Sequence, residues 1–446
     1  PKTARAANGT YAKEAKGYLD YDHGSWGYNV LKAGVTGAGK VGNHEFGYSL
    51  YAELENSDSY YKNVFTKDVL LSAAFDTDIT PNLRTEFGGM YQRYRSTENT
   101  GWNRLTQDLV DHGTYITGQG SNLDTNRDGK ISREEAAAAN GGGGIASFGS
   151  FTCGVFVPFD TGLTKSCFLG KRDTNLINPG TTHLSGKHVL TGPNDKLNND
   201  QKTAYFDLIW QGAGHLKITN KAFYDGGKNL DENGYGFSQA FNSYVIEDKI
   251  VVADDFNTPF AKVSLQASPS IRYTHFHFAD DYGAEFWNRP DISVGYGPQS
   301  TRLLSTQCDC NYSDFVIGHY TDLGMAGLID IDSVFGFDFI GGIRYDHIHA
   351  TSTAILSKYD PTNIANDVGP VPSAVGNEHG LSWNASLSYK SPTGLIPYVT
   401  ASRQSTVVAG QGSELYPANI INGAVFGAGQ LLEAGGKGEF LEKRLY

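Results

Sequence analysis

The sequence has only 2 methionines among 446 residues and contains no apolar run of about 18 residues, the length a membrane-spanning helix requires. A helical membrane protein is thereby excluded. Basic residues are few: 36 Lys and Arg stand against 48 Asp and Glu, a formal net charge of −12, and no basic stripe gathers anywhere. Nucleic acid is excluded as a partner, because phosphate neutralisation needs clustered cations. Cysteine is limited to Cys153, Cys167, Cys308 and Cys310, none in a Cys-x-x-Cys or histidine-containing zinc spacing. An even set of this kind points to disulfides in an oxidising compartment and leaves the pairing open. Catalytic signatures are missing as well: there is no Gly-x-Ser-x-Gly elbow and no His-Glu-x-x-His pair. Gly141 to Gly144 has no strand–turn–helix setting and reads as a connector rather than a phosphate cradle. We read the chain as no enzyme. The opening Pro1 to Arg5 leads into no apolar stretch, so the sequence is expected to start after a processed leader or inside a longer protein.

What is abundant is glycine (54), tyrosine (26) and phenylalanine (24). Aromatics suit pleated surfaces, and glycine suits turns and close strand contacts. Alternation of period two recurs along the chain. Phe46, Tyr48, Leu50, Ala52 and Leu54 share one face, against Glu45, Gly47, Ser49, Tyr51, Glu53 and Glu55. Ala204, Phe206, Leu208 and Trp210 oppose Tyr205, Asp207, Ile209 and Gln211. Phe335, Phe337, Phe339, Ile343 and Tyr345 oppose Asp338, Arg344 and Asp346, with Ile340 as an exception. Leu381, Trp383, Ala385, Leu387 and Tyr389 oppose Ser382, Asn384, Ser386, Ser388 and Lys390.

A soluble sandwich would also have one apolar and one polar face. The connections favour a membrane barrel. Short turns at Asp76–Asn82, Gln211–Gly214 and Ser391–Gly394 alternate with long polar segments. The long ones are Asn56–Lys67, Arg95–Lys202, Asp225–Asn242, Ala279–Tyr312, Thr351–Gly380 and Gln404–Gly427. Brief turns on one rim and long loops on the other mark a transmembrane antiparallel β-barrel. We expect an all-β chain of about 14 strands, each of about 9–11 residues. Residues 1–446 form the barrel domain, and 95–202 is one long extracellular insertion that must carry its own staples.

One such staple is legible at residues 124–135. Asp124, Asn126 and Asp128 offer side-chain oxygens, Lys130 its carbonyl, Ser132 a direct or water-mediated contact, and Glu135 a bidentate carboxylate. This fills the twelve-position EF-hand loop, with Gly129 at the sharp turn and Ile131 packing inward. No paired helices flank it, so a structural Ca2+ clip is expected rather than a sensor. A second staple is a Cys153–Cys167 bridge, closing a loop of about 15 residues and contributing about 3 kcal/mol in the chain-entropy model. Cys308 and Cys310 lie in another outer loop, where a Cys-x-Cys bridge is tight and cross-loop pairing stays open.

The segment Arg272-Tyr273-Thr-His275-Phe-His277 repeats as Arg344-Tyr345-Asp-His347-Ile-His349. On a strand the histidines share a face with Tyr273 or Tyr345. They belong either to an aromatic girdle at the membrane interface or to a metal site, since alternating imidazoles can chelate. On the opposite face Arg272, Arg344 and Asp346 are expected to line the lumen and meet cargo.

Several stretches resemble the TonB-dependent outer-membrane receptors of siderophore type. They are Lys16 to Val35, Tyr48 to Asn63, Gly342-Ile-Arg-Tyr-Asp346, Leu432-Glu-Ala-Gly-Gly-Lys437 and Arg444-Leu-Tyr446. The resemblance implies part of a 22-stranded barrel in the bacterial outer membrane, incomplete at both ends, with plug domain and TonB-contacting box outside the chain. It implies active import of a scarce nutrient, foremost a ferric siderophore. Outer-membrane lipid, the TonB complex and a surface partner at the outer loops would then be its partners. A passive porin or hydrophobic-substrate channel of about 14 strands and a secreted calcium-stabilised adhesive protein are the competing readings.

Overall fold

A computed structural model describes residues 5, 9–11, 14–99, 101–120, 125–127, 176–233, 238–281, 290–295, 312–359 and 372–438. The chain opens with β1 (Lys16–His23), β2 (Asn29–Val41), β3 (His44–Asp58), β4 (Phe65–Thr80) and β5 (Leu83–Ser96). A short helix α1 (Gln107–His112) and the strands β6 (Thr114–Gly120) and β7 (Leu176–His183) follow. Then come β8 (Lys196–Gln211), β9 (Lys217–Glu232), β10 (Ser238–Asn257), β11 (Ala261–Asp281) and β12 (Asp314–Ser333). The last elements are β13 (Phe337–Ala354), β14 (Ser373–Tyr389), β15 (Leu395–Val407), a short helix α2 (Pro417–Ile421) and β16 (Phe426–Gly438).

All strands except β6 and β7 join one 14-stranded antiparallel sheet in which each pairs with its neighbours in sequence order. Such a meander satisfies the backbone N–H and C=O groups between neighbouring strands, with β1 and β16 as the edges of the sheet. The pair β6–β7 forms a separate hairpin.

Side chains alternate as the sequence requires. Leu50, Ala73, Gly89 and Ala204 are register partners across four strands, so the apolar face runs continuously from β3 to β8. Large apolar side chains on it stay exposed, among them Leu71 at 45%, Ile271 at 48% and Ile343 at 58%. In water such a surface would be untenable; in lipid it is the stable arrangement. Aromatic residues bound the band. Phe260 stacks on Phe335 and Phe337 packs on Tyr389 beside the short turns, while Tyr224, Tyr244 and Tyr273 form a row at the other edge.

The two rims differ as expected, and the strands run longer than expected. Strand lengths reach 21 residues in β11, and the polar segments 56–67 and 225–242 shrink to connections at 59–64 and 233–237. Their residues read as loops because both faces turn polar there. Backbone ladders do not depend on side-chain polarity, so β8, β9 and β10 continue beyond the apolar band.

Candidate cargo-facing site on the polar face

The polar face of β10 to β14 carries a ladder of alternating charge. Glu247 stands opposite Arg272, and Arg272 opposite Asp322. Arg272 Nε donates to Glu247 Oε2 over 2.7 Å, and Lys249 Nζ lies 3.3 Å from Glu247 Oε1. On β13 the Arg344 guanidinium lies between two carboxylates. Its Nε donates to Asp346 Oδ2 over 3.0 Å, and Nη2 sits 3.8 Å from Asp322 Oδ2. Asp322 and Asp346 are buried, whereas the Arg344 side chain keeps 35% of its surface exposed. A side chain on Gly324 would collide with the guanidinium and come within 2.7 Å of Ser270 Oγ, so glycine lets Arg344 cross from β13 to β12.

Beside this ladder the wall forms a hollow of about 540 Å³ whose polar lining includes Lys249, Gln266, Arg344, Asn384 and Gln404. The arrangement offers charge-assisted and neutral hydrogen bonds to a polar solute, with half-exposed guanidiniums suited to planar oxyanions. Arg272, Arg344 and Asp346 thus stand together on this face, joined by Glu247, Lys249 and Asp322, which sequence reading passed over. The signal for those three was their even spacing with Arg272 and Arg344 once the strands are aligned.

Towards the long-loop rim the alternation inverts. Interleaved with the histidines are Phe276 and Phe278 on β11 and Ile348 and Ala350 on β13, all on the inner face and all buried. The reason is the β15–β16 connection, which folds inward. Leu415, Ile420 and Val425 pack on Phe276, Val316, Tyr320, Ile348, Ala350 and Ala374 as one core. Ser243 Oγ donates to the Gly412 carbonyl over 2.5 Å, and Ser352 Oγ donates to the Leu415 carbonyl. A Cβ on Gly376 would stand 2.7 Å from Ile420 Cγ2, so α2 approaches β14 more closely than any other residue there would allow. Glu414 is buried in this loop, its Oε2 accepting the Gly412 N–H over 2.8 Å, and burial raises its carboxyl above the usual range. The segment 404–427, expected as a plain outer loop, is in part an inner lining.

Among its described residues, the segment 95–202 is held by a buried cation, which the sequence did not announce. Arg104 is fully buried and donates to the carbonyls of Ile116 and Gly118, each over 2.7 Å, with its guanidinium over the Tyr115 ring. Burial lowers the Arg104 pKa and pushes the Tyr115 hydroxyl up to about 12. Asn103 Nδ2 donates to the Pro290 carbonyl over 2.8 Å and Gly118 N to Asp291 Oδ2 over 2.8 Å, so two outer loops are tied together. Of the six expected calcium ligands only Asn126 lies among the described residues; Asp124, Asp128, Lys130, Ser132 and Glu135 lie outside them, as do Cys153, Cys167, Cys308 and Cys310. Among the described residues no group of three His, Cys, Asp or Glu converges as a metal site.

No family model and no curated protein matches the sequence. Solved structures match the fold. The siderophore receptor PiuA from Acinetobacter baumannii is 12% identical with a TM-score of 0.58, over 96% of this chain and 55% of that one. The ferripyoverdine receptor of the outer membrane of Pseudomonas aeruginosa is 12% identical with a TM-score of 0.56, over 97% of this chain and 47% of that one. The ferric-catecholate import receptor Fiu from E. coli K12 is 10% identical with a TM-score of 0.51, over 96% of this chain and 57% of that one. The chain spans about half the length of these structures. The likeness is one of fold: the sheet from β1 to β16 is built like the walls of these solved structures.

Proposed function

We propose that this chain forms the wall of a bacterial outer-membrane receptor that imports a scarce polar nutrient, a ferric siderophore foremost, with energy supplied through the TonB complex. The observation that carries the reading is the charge ladder from Glu247 to Asp346, set on the inner face of a receptor-type wall beneath an inward-folded loop. Its guanidiniums match the oxyanionic groups that such iron chelates present. The apolar face meets outer-membrane lipid. The outer loops are held by Arg104 and, we propose, by a structural Ca2+ on Asp124, Asn126, Asp128, Lys130, Ser132 and Glu135.

The test is uptake of radiolabelled ferric siderophore by cells that depend on the full-length protein. Uptake is expected to require the proton-motive force and to fall when Arg272 and Arg344 are both replaced by Ala. Transport that persists after the proton-motive force is dissipated identifies a passive channel and overturns the reading.

A further inference from the structure

The histidines outside the lumen have a geometry that the girdle does not account for. Six of the chain's 12 histidines, His275, His277, His319, His347, His349 and His379, lie on the apolar face just beyond its tyrosines. Tyrosines suit such an interface by having an apolar ring and a polar tip. Imidazoles facing one another call for a separate reason.

We propose that His347 and His379, with Tyr345, form a chelating site for a divalent late transition-metal ion on the outer face of the wall. His347 and His379 stand directly opposite each other on β13 and β14, with ring centroids 4.7 Å apart. Their Nδ1 atoms are 3.1 Å apart, and the Tyr345 hydroxyl lies 2.6 Å from His379 Nδ1. An ion held by two imidazoles at about 2.0–2.1 Å from each nitrogen spaces those nitrogens about 2.9–3.4 Å apart for angles between square and tetrahedral. The observed pair already has that spacing. Without an ion the two nitrogens share one proton in a hydrogen bond; a metal takes the proton's place and accepts both lone pairs.

The donor set selects the class of ion. Two imidazoles and a phenol are poor ligands for Ca2+ or Mg2+, which demand oxygen shells, and good ones for Cu2+, Ni2+ or Zn2+, with Cu2+ held most tightly. Access is open, since Tyr345 is 47% exposed and His379 is exposed. The remaining coordination positions face outward, where water or lipid phosphate can fill them. The wall supplies its own control. His275 stands opposite His319 in the same way, yet those rings turn onto Tyr244 and Tyr273 instead of onto each other.

The experiment is Cu2+ titration of the full-length protein in detergent, read by electron paramagnetic resonance. Wild type is expected to bind one ion with hyperfine structure from two imidazole nitrogens. His347→Gln and His379→Gln are each expected to weaken binding about tenfold or more, since even outer partners of ligands cost that much. A His275→Gln/His319→Gln double variant is expected to bind as wild type does. A second readout needs no variant: Zn2+ should protect His347 and His379 of the wild-type protein from diethylpyrocarbonate, as mapped by mass spectrometry. Absence of a two-nitrogen spectrum, absence of protection, or unchanged binding in both single variants overturns the proposal.

Discussion

Ser243 Oγ and the Gly412 carbonyl lie 2.5 Å apart although 169 residues separate them, and this bond ties the inner face of β10 to the connection between β15 and β16. With Leu415 and Ile420 buried beside it, the connection acts as a fixed lining of the barrel mouth. Its one buried acid makes that docking depend on pH. Glu414 has a raised pKa in the docked loop, so docking favours the protonated form. The stabilisation is full below the acid's ordinary value of 4.5 and is lost as pH rises through the raised value. Limited proteolysis of residues 408–425 should therefore quicken with rising pH in wild type, and Glu414→Gln should flatten the profile. An unchanged profile in Glu414→Gln would assign the effect elsewhere.

The face assignment predicts an asymmetry between adjacent positions on β3. Leu50 is exposed on the apolar face, and Ser49 points to the other side. Leu50→Arg is expected to cost about 2–4 kcal/mol in bilayers, and Ser49→Arg much less. Refolding into vesicles with urea titration measures both, and equal costs would contradict the assignment.

Arg344 holds two carboxylates, so its removal should be non-additive with theirs. Arg344→Ala alone leaves Asp322 and Asp346 facing each other without the shared cation. In an Asp346→Asn background the same change should cost less, by a coupling of about 0.5–3 kcal/mol. A double-mutant cycle by chemical denaturation reads this directly; zero coupling would show the ion pair to be incidental.

Calcium at residues 124–135 predicts that chelation exposes the outer loop to protease. An EF-hand loop would bring the carboxylates of Asp124, Asp128 and Glu135 together, and a bound ion would relieve their repulsion. A site of about 10⁻⁴–10⁻³ M suffices outside a cell, where calcium is plentiful. Cleavage at 124–135 should appear after chelator treatment and disappear on adding Ca2+. Identical digests with and without chelator would reduce the pattern to coincidence.

The pair Cys153 and Cys167 is expected to be linked. A non-reduced digest should yield the two peptides as one species by mass spectrometry. Alkylation of both thiols without prior reduction would end that expectation.

The sequence alone determined the wall. Period-two alternation over Glu45–Glu55 or Leu381–Lys390 places every side chain on one of two faces, because a strand has no third direction. It also placed Arg272, Arg344 and Asp346 on the polar side, for the same reason. Strand ends were hidden, since β8 to β10 continue where both faces are polar and the pattern has no contrast to show. Contacts between distant segments were hidden too. Nothing near Leu415 says that it will meet Phe276, and nothing near His347 says that His379 will stand opposite it. Register and loop docking join residues tens to hundreds apart in sequence, and only the assembled sheet decides which of them meet.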